Sequence, residues 1–158
     1  MYLHIIKKRS SLFFLFPFIL LLILFLALPW VSAKERPKSK PEVWQINGIV
    51  AALDDGYDGV KGSAFNKLAE YDLKDLKSLG KKPEDIAQKA AKILKDKTVD
   101  SHVRSGAAEA LGNLGEAAKP YVKDILDFLK DKSVDSHVRY GAAEALGNLG
   151  EAAKPYVK

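Results

Sequence analysis

Asp100, Ser101 and His102 are the three side chains of a nucleophile–base–orienter triad, and the same letters recur at Asp135, Ser136 and His137. Consecutive residues at a helix start do not face one another, so this order cannot build the geometry of acyl transfer. It reads instead as a capping segment, with the aspartate at the helix N-cap. His102 and His137 occupy equivalent positions and raise the idea of a metal-binding or pH-sensing ladder. Neighbouring helices lie roughly 8–10 Å apart, which keeps two rings from sharing a metal without convergence or a third ligand. No metal site is therefore expected. Glu109, Asp124, Asp127 and Glu144 could be called paired acids, but they alternate with Lys119, Lys123 and Lys130 and read as a solvated, ion-paired surface. Gly112-Asn113-Leu114-Gly115 ends a helix, whereas a phosphate cradle needs its glycines before one. No catalytic residue and no cofactor is expected.

Protein contact is the chemistry that remains. The expected contact row is Tyr121, Lys123, Asp124, Asp127 and Lys130 on one helix face, with Tyr140 on the opposite helix layer. Tyr140 is an exposed aromatic of the kind that anchors interfaces.

The elements that position these residues come from a duplication. Residues 98–123 and 133–158 align at an offset of 35 with only two differences, Thr98/Ser133 and Ser105/Tyr140. Each copy resolves into two helices. Val103, Ala107, Ala110, Leu111 and Leu114 form one apolar face of a helix over about 101–114. Asp100 caps it and stands four residues before Arg104, the favourable acid-then-base order. Gly115 supplies the left-handed stop. Pro120 opens a second helix running to about Lys130, with Val122, Ile125, Leu126 and Leu129 on its core face. Such a pair cannot bury its own apolar face, so neighbours must stack. Gly106, Ala107 and Ala108 allow close approach. The expected fold is all-α, an α-solenoid of antiparallel helix pairs.

Weaker copies precede the strong ones. Val60-Lys61, Ala64 and Leu68 match Val103-Arg104, Ala107 and Leu111, and Leu94-Lys95-Asp96 matches Leu129-Lys130-Asp131. An insertion near 72–82 carries Leu73, Leu76 and Leu79. Val43, Ile46, Ile49, Val50 and Leu53 make a further apolar face. The expected organisation is degenerate capping repeats over 42–97, a repeat over 98–132 and a truncated repeat over 133–158. Because Lys158 aligns with Lys123, the chain reads as a fragment of a longer array.

The pattern V-D-S-x-V-R-x-x-A-A-x-A-L-G-x-L-G, followed by a proline-initiated helix, resembles HEAT repeats, and more closely the phycobilisome-lyase type of HEAT-like repeat abundant in cyanobacteria. The matching residues are Val103, Arg104, Ala107, Ala108, Ala110, Leu111, Gly112, Leu114 and Gly115, with their copies. The resemblance implies a scaffold for protein–protein contact. Some relatives attach bilin chromophores to antenna proteins. The matching positions are packing positions, so no chromophore site carries over, and a lyase-like assembly factor stands as the alternative.

The start of the chain implies export. Lys7-Lys8-Arg9 precede an apolar run from Leu12 to Leu28, and Val31-Ser32-Ala33 end it with small residues, the three parts of a signal peptide cleaved after Ala33. An uncleaved anchor through residues 12–31 is the other reading. Residues 34–41 read as a flexible linker. The destination is periplasmic or extracellular, alternatively a membrane-anchored position. The net charge of +5 owes three of its positives to the leader. Residues 97–158 carry nine basic and nine acidic side chains. This balance excludes a nucleic-acid footprint. The absence of cysteine excludes disulfide scaffolds and thiol chemistry.

Overall fold

The computed structural model describes residues 38–73, 76–80 and 82–157. The expected signal peptide over 1–33, its cleavage at Ala33, the apolar run 12–31 and the first half of the 34–41 linker lie outside the described residues.

Every regular element among the described residues is helical. Six α-helices follow one another: α1 (Val43–Ala52), α2 (Asp58–Glu70), α3 (Pro83–Lys95), α4 (Ser101–Asn113), α5 (Val122–Lys130) and α6 (Ser136–Leu149). Three 3-10 turns join them at Leu76–Leu79, Gly115–Tyr121 and Gly150–Ala152. The only β-type pairing among the described residues is an isolated bridge between Ser39 and Tyr71.

The helix ends follow from their sequences. Asp100 accepts the His102 backbone N–H at 2.8 Å, and Asp135 accepts that of His137 at 2.8 Å. Each aspartate thereby satisfies one of the donors that a helix start leaves unpaired. Gly115 ends the α4 turn with φ +56°, a conformation that a side chain would strain. Pro83 sits in the first turn of α3. Pro120 behaves differently from the expectation. It lies inside the 3-10 turn, and the α-helix begins two residues later at Val122. The fixed φ of proline suits either helix, and the tighter turn buries Ala118 while the chain reverses.

Packing sets a phase that differs from the phase of the sequence repeat. α1 packs on α2, α3 on α4 and α5 on α6, while α2, α4 and α6 lie side by side in one row. The packed hairpin is thus the second helix of one copy with the first helix of the next. α4 and α5, which share a copy, touch mainly through the 3-10 turn between them. A single hairpin buries only a few large side chains, each contributing ~1.5–3 kcal/mol, too little against the entropy of ordering its chain. The row solves this by sharing one core. Ile46, Leu68, Leu76, Ile86, Leu94, Leu111, Ile125 and Val138 are all essentially inaccessible within it. Val43, expected on the apolar face of α1, is exposed.

Close approach along the row depends on missing side chains. A methyl group on Gly141 would stand 2.6 Å from both the carbonyl oxygen and Oγ of Ser105. One on Gly112 would stand 2.7 Å from the Ala145 Cα.

Arg104 corrects a second expectation. It does not pair with Asp100. Its side chain is 8% exposed, its Nε donates to the Leu94 carbonyl oxygen at 3.0 Å, and its guanidinium lies 5.8 Å from the Phe128 ring centroid. The last carbonyls of α3 have no intrahelical donor, and a buried cation there also meets the negative end of the helix dipole.

Candidate protein-interaction site

A groove of about 410 Å³ lies where the end of α3, one face of α5 and the turn before α6 meet. Asp124, Asp127 and Phe128 enter it from α5, Lys95 from the end of α3, Lys97 from the turn that follows, and Arg104 from α4. The 131–135 turn closes one side. Helical spacing of three to four residues puts Asp124, Asp127 and Phe128 on one face.

The charges in the groove are largely arranged in pairs. Lys95 Nζ lies 2.6 Å from the Asp124 carboxylate. Asp131 accepts the hydroxyl and backbone N–H of Ser133, and these two hydrogen bonds hold its carboxyl below the usual range. Asp135 is held low chiefly by the His137 backbone N–H. Asp127 and Lys97 are the exceptions: both are exposed and neither has a side-chain hydrogen bond or ion pair among the described residues.

The expected contact row is therefore divided. Asp124 and Asp127 line the groove. Lys123 and Lys130 are exposed on α5 but do not line it, and Tyr121 is half-buried against the core. Tyr140 stands apart on α6, 61% exposed, with its hydroxyl donating to Glu144 Oε1 at 2.8 Å. That bond raises its pKa, and the Glu144 charge adds to the effect. The groove residues that sequence reading did not single out are Arg104, Lys95 and Lys97. Lys95 carried a signal, since it aligns with Lys130 at the repeat offset.

The remaining candidates resolve by geometry. The acids Glu109 and Glu144 belong to neighbouring helices of the row. Burial, with the Glu144 charge second, raises the Glu109 pKa against the opposing hydrogen bond from Ser105. His102 and His137 show the convergence that helix spacing alone would not bring. Their ring centroids lie 4.1 Å apart at an interplanar angle of 54°. The helices pack so closely at Gly141 that side chains on the same edge converge. No cluster of three or more His, Cys, Asp or Glu side chains among the described residues is arranged to hold a metal ion. No helix among the described residues is long and apolar enough to cross a membrane.

Residues 101–149, from the start of α4 to the end of α6, match the family model of the HEAT-like repeat. No curated protein and no solved structure matches the chain.

Proposed function

We propose that the chain is a non-enzymatic scaffold, acting outside the cytoplasm, that binds a protein partner along α5. Two findings support this reading: the HEAT-like repeat over 101–149, of a kind that commonly mediates protein–protein interaction, and the row of stacked hairpins that carries it. The observation that carries the choice of surface is the groove beside α5, in which Asp127 is left exposed without an intramolecular partner while Asp124 is paired with Lys95. An exposed carboxylate beside the half-buried Phe128 ring fits a partner segment that brings a basic side chain. Recognition would work by extended complementarity rather than by chemistry.

The test is photo-crosslinking in the native host, with a photoreactive residue at position 127 of α5 and, separately, at the exposed position 66 of α2. A discrete adduct from 127 and none from 66 is expected. Equal labelling from both positions would remove the groove from the proposal. Export has its own test, the intact mass of the natural protein in each cell fraction: loss of residues 1–33 in the periplasm or medium is expected. The phycobilisome-lyase alternative rests on the sequence resemblance alone, and bound pigment after incubation with bilin would be required to support it.

A further inference from the structure

The two strong copies differ at one position within their first helix, and the structure shows what that position does. Ser105 of α4 is the residue against which α6 is seated. It is 7% exposed, and Gly141 of α6 lies over it so closely that no Cβ fits between them. Ala108 and Gly112, three and seven residues further along the same face of α4, are also buried, and Gly112 meets Ala145 of α6. α6 repeats this face outward, with Ala143 and Gly147 at the matching positions, both exposed. At the position of Ser105 it carries Tyr140.

We propose that Tyr140 closes the outer face of α6 to a further repeat of this same pattern. An incoming helix with the sequence of α6 would bring its glycine onto residue 140 as Gly141 comes onto Ser105. In the contact within the chain, the serine Oγ already stands 2.6 Å from where a methyl on the glycine would be. A phenol in place of that hydroxyl has no volume to occupy there, because interiors pack without spare space and the opposing atoms are backbone. The Tyr140 hydroxyl donates to Glu144, one turn further along α6 on the exposed side that carries Ala143 and Gly147. The face accordingly rejects an exact copy of the repeat that its own sequence otherwise matches at every position of the helix.

The rejection is decisive because little else would hold an added hairpin. Successive hairpins meet along the row α2, α4, α6, whereas α3 and α5 scarcely touch. A hairpin denied the α6 face would find no second surface of comparable extent.

The experiment extends the full chain in register by one further 35-residue copy, in the natural background and with Tyr140→Ser. Thermal unfolding and amide exchange of the added helices are measured. With Tyr140→Ser the added helices are expected to be protected from exchange, and the Tm to rise by more than about 5 °C over the unextended chain. With Tyr140 retained, the added helices should exchange freely and the Tm stay where it was. Tyr140→Ala, which also removes the ring, should behave as the serine variant does. Equal protection in the Tyr and Ser backgrounds, or no protection in either, overturns the proposal.

Discussion

Gly141 lies over Ser105 with no room for a methyl group between them, and this contact joins the two helices that pack most extensively among the described residues. It sets two stability effects against each other. Alanine is better than glycine inside a helix by about 1 kcal/mol. Overpacking against backbone atoms costs about 1–3 kcal/mol. Gly141→Ala should therefore destabilise the protein. Gly147, on the same helix, is the control, because a methyl group added there would meet nothing within 4 Å. Gly147→Ala should stabilise by up to about 1 kcal/mol. Urea unfolding of both variants checks the pair, and two shifts of the same sign would show that propensity, not contact, governs the row.

The aspartate caps give a second expectation. Asp100 and Asp135 each accept a backbone N–H at a helix start. Replacing either with alanine should cost about 1 kcal/mol. Asp100 also donates its own N–H to Asp58 at 2.8 Å. That bond does not need the Asp100 side chain, whereas the Asp135 carboxylate also faces His137 Nδ1 at 3.1 Å, so Asp135→Ala should lose at least as much as Asp100→Ala. The comparison of their denaturation midpoints reads this directly.

Arg104 tests whether its role is structural. Arg104→Met keeps length and apolar contact but leaves the Leu94 carbonyl oxygen without its donor. Loss of a buried partner of this kind costs about 1–3 kcal/mol. A calorimetric scan of the variant should show a lowered Tm, and an unchanged Tm would mean that water replaces the guanidinium without cost.

Glu109 makes the stability depend on pH. Its folded pKa is raised above the unfolded value, first by burial and then by Glu144. Between the two values the folded state binds more protons than the unfolded state, so stability falls as pH rises through that window. Glu109→Gln removes the ionisation. It should be more stable than the natural chain at pH 8, with the advantage shrinking as the pH drops toward the ordinary carboxylate range. Chemical denaturation at pH 8 and pH 4.5 would expose a wrong sign at once.

The parts of the fold that can be read from the sequence are those governed by neighbours in the chain. Asp100 announces the start of α4 and Gly115 its end, because caps are local hydrogen-bonding problems. The apolar spacing of Val103, Ala107 and Leu111 reports one buried face, and all three are buried. The hairpin phase is not legible in the same way. A period of 35 residues says that units recur, and it is silent on which adjacent pair packs. Arg104 misleads because its helical spacing to Asp100 is visible in the sequence, while the Leu94 carbonyl becomes a neighbour only once α3 and α4 pack. The meeting of His102 and His137 has the same origin, since ring separation depends on how closely two helices approach and not on residue spacing within either. The groove residues Lys95 and Arg104 come from separate helices, which is why only the α5 row stands out in the sequence.

The offset between copy and hairpin bears on how such a chain can grow. Any tandem duplication of 35 residues keeps the register of the helices, wherever the break falls, because the hairpin is defined by recurrence and not by the boundaries of the copied segment. A break inside α4 and a break inside the 3-10 turn give the same succession of helices. Recombination within the repeated tract therefore need not respect structural borders, provided each internal helix carries serine at the position of Ser105 and Tyr140 stays on the outermost one.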